Sequence, residues 1–171
     1  WVVDLVDAQR GERVVDLCAA PGGKATGLAA TGADVIAADV HPGRARTIVA
    51  ASERTGHRLG VLVADAAAPA IRPGVVDRVL LDAPCSGLGA LRRRADARWR
   101  IDGQAVERLA KLQVDLLDAA IDLVRPGGRV TYSVCTITNA ETIDVVGQVL
   151  ARRAGVALEA VDTAARWRSR D

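Results

Sequence analysis

Hydrophobic and polar stretches alternate along the 171 residues in a βαβ rhythm. Short runs rich in Val and Leu predict strands over Arg13 to Leu17, Asp34 to Ala38, Leu59 to Ala64, Val76 to Leu81, Arg129 to Ser133 and Val156 to Val161. Such runs suit strands buried on both faces. Helical patterns fill the intervals. Trp1 to Val6 reads as the end of a helix. A helix opens at Gly22-Gly23 and runs to about Ala30, and another starts at His41-Pro42 and stops at Gly56. Val106, Leu109, Leu112, Leu116 and Ala120 fall at helical spacing and predict a long amphipathic helix from Gln104 to Val124. Arg125-Pro126-Gly127-Gly128 reads as a turn, and Asn139 to Ala154 as a last helix.

Strands joined by helices predict an α/β fold, a mainly parallel sheet with helices on both faces, in a single domain long enough for a full core. Sheets of this kind bind ligands at the carboxyl ends of their strands. Asp39, Asp65, Asp82, Cys85 and Cys135 all stand at predicted strand ends. Taken singly, each Asp reads as a helix cap or turn residue; their convergence points to a site. The closing strand that often lies beside the fifth is missing, Thr163 to Asp171 reads as a polar tail, and the chain reads as trimmed at both ends.

Composition narrows the chemistry. There is no Phe and no Met, so the core is built from Ala, Val, Leu and Ile. No apolar stretch approaches a membrane span and no signal peptide opens the chain, which reads as soluble and cytoplasmic. Three irregularly spaced Cys without a CxxC pair, and only two His, argue against a disulfide framework or a metal site. The net charge of +2 does not by itself demand a polyanion. Its distribution says more. All but Lys24 and Lys111 of the 23 basic residues are Arg, and Arg92, Arg93, Arg94, Arg98 and Arg100 crowd directly behind the Cys85 segment against Asp96 alone. Arg forks pair with phosphate oxygens and stack on bases. A solvated Arg-rich face is the plain alternative; the neighbouring reactive loop favours polyanion binding.

The segment Cys18-Ala19-Ala20-Pro21-Gly22-Gly23-Lys24 is a glycine turn opening a helix. Its glycines let backbone approach a ligand, Pro21 stiffens it, and the helix N-terminus offers unpaired N–H groups. It is neither GxGxxG nor a phosphate loop, since Ala25 follows Gly23-Lys24, so a dinucleotide or triphosphate is disfavoured. Asp39 at the end of the second strand is placed to accept ribose hydroxyls, and Asp65 to meet an adenine amino group. A nucleoside cofactor without a pyrophosphate fits S-adenosylmethionine.

Cys85 in Asp82-Ala83-Pro84-Cys85-Ser86-Gly87 and Cys135 in Tyr132-Ser133-Val134-Cys135-Thr136 are candidate nucleophiles. Cytosine C5 is too weakly nucleophilic to take a methyl group unaided. A thiolate adding to C6 activates it, a proton donor serves N3, and a base removes the C5 proton before elimination. Asp82 is the candidate for N3. Cys18 reads as an inert buried thiol. The residues alone leave open which of Cys85 and Cys135 attacks.

Asp16-Leu17-Cys18-Ala19-Ala20-Pro21-Gly22-Gly23-Lys24, Asp82 to Gly87 and Tyr132 to Thr136, in that order, resemble the signatures of the Sun/RsmB-like RNA (cytosine-5) methyltransferases, and the resemblance runs from about Arg13 to Val161. It implies a Rossmann-like class I fold and S-adenosylmethionine held by Cys18 to Lys24, Asp39, Asp65 and Asp82. It implies Cys135 as nucleophile and Cys85 as the thiol that helps release product. It also implies a ribosomal RNA substrate and an N-terminal RNA-binding domain absent from this chain; the enzyme is expected to act as a monomer. Val134-Cys135-Thr136 stands where the family usually has Thr-Cys-Ser. Three other readings compete: a DNA cytosine-5 methyltransferase attacking through Pro84-Cys85, a small-molecule methyltransferase, and a non-catalytic RNA-binding assembly factor. The lack of a large target-recognition insertion and an otherwise unexplained Cys135 speak against the first, the Arg run and paired thiols against the second, and the intact thiol pair against the third.

Overall fold

The computed structural model describes residues 1–91 and 102–159. Five strands, β1 (Arg13–Asp16), β2 (Asp34–Asp39), β3 (Gly60–Val63), β4 (Val76–Asp82) and β5 (Val124–Ser133), form one sheet in the order β3-β2-β1-β4-β5. Every pairing is parallel. Five helices accompany them: α1 (Val2–Val6), α2 (Gly23–Ala29), α3 (Pro42–Thr55), α4 (Gly103–Leu123) and α5 (Ile143–Arg152). The Rossmann-like α/β architecture expected from the sequence is the one observed.

Strand side chains alternate between faces, so each central strand feeds two cores. Val15, Leu17, Val79 and Leu81 pack with Val114, Leu117 and Ala120 of α4 and Val145 and Val149 of α5. Val14, Val35, Ala37 and Leu80 pack on the opposite face with Val6 of α1, Leu28 of α2 and Ile48 of α3. The order of strands changes direction at β1 and β4, and their carboxyl ends lie side by side there. That is where an open α/β sheet leaves a crevice.

Four expectations need correction. Arg125 to Gly128 is not a separate turn before the strand. It is a bulge within β5, because Val124 pairs with Val76 while Arg129 pairs with Arg78. A Cβ on Gly128 would lie 2.8 Å from the Asp77 carbonyl oxygen, so only glycine fits that bulge. The last helix is broken: Asn139–Glu141 forms a 3₁₀ turn, Thr142 leaves helical geometry, and α5 begins at Ile143. The stripe assigned to α4 holds at Leu116 and Ala120, which are buried, but not at Leu112, which is exposed, while Gln113, Val114 and Leu117 widen the buried face. Finally, Val156 to Glu159 is not strand, and the remainder of that expected sixth strand, Ala160 and Val161, lies outside the described residues. A strand needs a ladder partner, and none of the described strands pairs with it.

Gly22, which caps α2, has φ of 105°, and a Cβ there would stand 3.0 Å from both the Ala51 Cβ and the Ile48 Cα of α3. Its glycine is therefore demanded by helix packing. A Cβ on neighbouring Gly23 would meet nothing within 4 Å. We expect Gly22→Ala to cost roughly 1–3 kcal/mol in urea unfolding from strained backbone and contact, and Gly23→Ala to leave unfolding unchanged.

Candidate active site

β1 ends in a carboxylate because the chain leaves the sheet there and turns toward α2. Asp16 is 1% exposed; the Cys18 N–H is turned toward its carboxylate, but neither oxygen receives a well-formed hydrogen bond among the described residues. Burial, reinforced by the nearby charge of Asp82, pushes its pKa up to about 7. Asp16 lines a cavity of about 230 Å³ whose walls are completed by Cys18 to Pro21, Gly23, Lys24 and Asp82. A buried carboxylate so weakly satisfied is costly unless a ligand answers it. A ligand presenting a cationic group would do so.

Lys24 and Asp82 meet across this cavity, Nζ to Oδ2 at 2.7 Å. Lys24 is thus both lining and partner to Asp82. Cys18 also lines it, with burial pushing its thiol up to about 12, so it stays protonated and inert. Asp39, the last residue of β2, is 3% exposed and lies beside the lining. Its Oδ1 accepts from the His41 N–H at 3.0 Å, and Arg44 Nη2 sits 3.5 Å from Oδ2 while donating to the Ala20 carbonyl at 3.2 Å. Arg44 thereby ties α3 and Asp39 to the glycine turn.

Other expected residues fall elsewhere. Gly22 is packed under α3 and does not line the cavity. Asp65 is exposed beyond β3, and its Oδ1 accepts from the Ala67 N–H at 2.9 Å, a turn-forming bond. Arg92, Arg93, Arg94, Arg98 and Arg100 lie outside the described residues. Among the described residues no group of three or more His, Cys, Asp or Glu is arranged to hold a metal ion, and no helix is long and apolar enough to cross a membrane.

The two thiols do come together. β4 and β5 pair in register up to Asp82 opposite Ser133, and the Ala83 N–H extends the ladder to the Ser133 carbonyl at 2.9 Å. Both chains then leave the sheet at the same level. Cys85 Sγ lies 3.2 Å from Cys135 Sγ, and the Cys135 N–H donates to Cys85 Sγ at 3.3 Å. A 3₁₀ turn, Leu88–Ala90, seats its Gly89 N–H on the Cys135 carbonyl at 3.0 Å. A Cβ on Gly89 would stand 3.1 Å from that oxygen. The thiols differ in setting. Cys135 is exposed; Cys85 is half-buried, and burial, followed by the Cys135 thiol, pushes it up to about 11.

Two groups escaped the sequence reading. Asp16 was visible only as a carboxylate closing an otherwise apolar strand. Glu141, fully buried behind the thiol loops, was masked by the helix expected over its segment. Burial works to raise its pKa, but hydrogen bonds from Ser86, Thr136 and Gln113 outweigh it and hold the carboxyl below its ordinary range.

Comparison with known proteins agrees with this geometry. The family model for the 16S rRNA methyltransferase RsmB/F matches residues 3–169. Mycobacterium tuberculosis Rv1407, described only as a methyltransferase, is 46% identical over 156 residues, covering 90% of this chain and 34% of that protein. Ribosomal RNA small subunit methyltransferase B of Salmonella paratyphi B is 38% identical over 159 residues, covering 91% of this chain and 37% of that protein. The chain thus spans about a third of the length of these relatives. Among solved structures, NSun6 from Pyrococcus horikoshii with SFG superposes with a TM-score of 0.78 at 28% identity, covering 88% of this chain and 40% of that one.

Asp16 yields a prediction. Its folded pKa is raised, so the folded state holds a proton that the unfolded state loses, and Asp16 subtracts stability as pH rises from about 4 to 7. Asp16→Asn should therefore gain melting temperature relative to the parent over that interval while weakening binding of a cationic ligand. Parallel melting curves across the pH series would show that the carboxylate is answered within the protein.

Proposed function

The chain belongs to the 16S rRNA methyltransferase RsmB/F family, and on that premise we propose that it transfers a methyl group from S-adenosylmethionine to C5 of a cytosine in ribosomal RNA, with Cys135 as nucleophile and Cys85 as the release thiol. One observation carries the division of labour: the thiols are 3.2 Å apart, yet the exposed one is Cys135 and the half-buried one, Cys85, is pushed up to about 11. A thiol that keeps its proton at neutral pH is a donor, and a group that must meet an RNA base has to be reachable. Both facts oppose attack by Cys85 and with it the DNA-methyltransferase reading.

The residues present fit the cofactor. The two weakly satisfied oxygens of Asp16 suit its ammonium group, Asp39 beside the turn suits ribose hydroxyls, and Gly23 leaves space for close approach. The NSun6 structure that carries SFG, an S-adenosylmethionine analogue, supports the same choice. When bound, S-adenosylmethionine supplies an electrophilic methyl group on a positively charged sulfur. The protein supplies the rest. Cys85 donates its S–H toward Cys135 Sγ and steadies the negative charge there. Cys135, its thiol proton given up to solvent, bonds through Sγ to C6 of the base, and the C5–C6 π electrons shift toward N3, where the Lys24–Asp82 pair supplies the proton. After C5 is methylated, Cys85 passes its own proton to solvent at the open thiol pair and takes the C5 proton in its place. The C5–H bond electrons form the C5=C6 double bond, the Cys135–C6 bond breaks with its electrons leaving on sulfur as a thiolate, and N3 gives back its proton.

Reaching a cytosine in a structured RNA requires extruding the base from its stack. We assign the electrostatic part of RNA capture to Arg92, Arg93 and Arg94, which follow the Cys85 loop in sequence. An RNA substrate of this kind supports a cytoplasmic location.

Two experiments test the reading. With small-subunit ribosomal RNA and methyl-labelled S-adenosylmethionine, Cys135→Ala should abolish transfer and form no covalent adduct, whereas Cys85→Ala should accumulate a protein–RNA adduct. The reverse pattern moves the nucleophile to Cys85. Replacing Arg92, Arg93 and Arg94 by Gln should weaken RNA binding and reduce the slope of log affinity against log salt by about 2–3; an unchanged slope returns these residues to a solvated surface.

A further inference from the structure

Glu141 is 0% exposed, and its carboxylate gathers hydrogen bonds from three separate parts of the chain. Oε1 accepts from the Ser86 backbone N–H at 2.8 Å and from Gln113 Nε2 at 3.1 Å. Oε2 accepts from the hydroxyls of Ser86 at 2.5 Å, Thr136 at 2.9 Å and Thr138 at 3.0 Å. Ser86 follows Cys85 directly, and Thr136 follows Cys135. The two hydroxyls also touch each other at 2.9 Å.

The residues around this carboxylate close the arrangement. Gln113 of α4 donates as well to the Pro84 carbonyl at 2.9 Å, one residue before Cys85. Tyr132 of β5, its hydroxyl proton shared between the Gln113 Oε1 at 3.1 Å and the Glu141 carbonyl at 2.8 Å, ties the same cluster to the strand that leads to Cys135. The break at Thr142, whose hydroxyl donates to the Thr138 carbonyl at 2.7 Å, turns Glu141 inward.

A buried carboxylate is an expensive way to hold two loops together. Its particular property is that, ionised, it only accepts, with two oxygens able to take about four bonds. Every donor around it is therefore drawn inward at once, from both sides of the thiol pair. We propose that Glu141 is a positioning residue that clamps the Cys85 loop to the Cys135 loop and sets the spacing of the two thiols. It touches neither the base nor the cofactor site. Its influence on catalysis passes through Ser86 and Thr136 to the neighbouring sulfurs. This rests on the reading that both thiols take part in the reaction.

The test reads thiol spacing directly and needs neither RNA nor S-adenosylmethionine. In the intact protein, diamide takes two electrons and two protons from a thiol pair in contact and leaves a disulfide; the rate is followed by mass and by loss of free thiol. The parent should cross-link Cys85 to Cys135. Glu141→Gln, which keeps the shape but loses the charge and one acceptor oxygen, should slow this at least about tenfold, the scale of a lost charged hydrogen bond. It should lower kcat for methyl transfer by a similar factor while KM for S-adenosylmethionine stays at the parent value. Thr136→Val, which cuts the clamp on the Cys135 side alone, carries the test if Glu141→Gln does not fold, and Thr136→Ser should restore the parent rate. Parent cross-linking rates in both Glu141→Gln and Thr136→Val overturn the proposal. Should Cys135→Ala retain methyl transfer, the two-thiol mechanism fails while the cross-linking result still reports on the clamp.

Discussion

The site depends on the parallel, in-register pairing of β4 with β5. Asp82 lies opposite Ser133, and because the strands run the same way, both segments leave the sheet at the same edge. Neighbouring parallel strands cannot be joined by a tight turn, since the return crossover needs a dozen or more residues. Here that crossover contains α4, which is why two thiols 50 residues apart meet at 3.2 Å. The same edge carries Asp16 from β1 and Asp39 from β2, so the cofactor cavity and the thiol pair share one rim of the sheet.

The core makes that rim rigid. Central strands buried on both faces leave little freedom to β1 and β4, whose last residues line the cavity. Polar atoms at such a rim must be satisfied from within or by a ligand. Glu141 is satisfied from within, by five donors. Asp16 has only the Cys18 N–H turned toward it and no well-formed hydrogen bond among the described residues. The contrast is between a carboxylate bonded to both thiol loops and one that lines an open cavity.

Much of this was legible in the chain. The strands from Arg13 to Ser133 are short Val- and Leu-rich runs that a two-faced sheet requires, and the acids and thiols at their ends mark the functional edge. What escaped were contacts set by distant partners. Gln113 lies on the buried face of α4 because the stripe turns with the helix, and its role follows from Pro84 and Glu141, neither near it in sequence. Glu141 reads as an ordinary helical residue until the break at Thr142 points it inward. Gly22 looked like a ligand-contact glycine, and Ile48 and Ala51 of α3 give a packing reason for it; Asp65 uses one carboxylate oxygen to close a turn. The expected sixth strand shows the complementary limit: an apolar run is a strand only where a neighbouring strand offers its hydrogen bonds.

The central claim is that the exposed thiol attacks and the half-buried thiol assists. Its most direct test is to identify the atom that joins the RNA. Fluorine at C5 of cytosine cannot leave as the C5 proton does, so an RNA bearing 5-fluorocytosine arrests the enzyme with the sulfur–C6 bond intact. Peptide mapping of that complex by mass spectrometry should find the nucleotide on Cys135. Finding it on Cys85 would contradict the account.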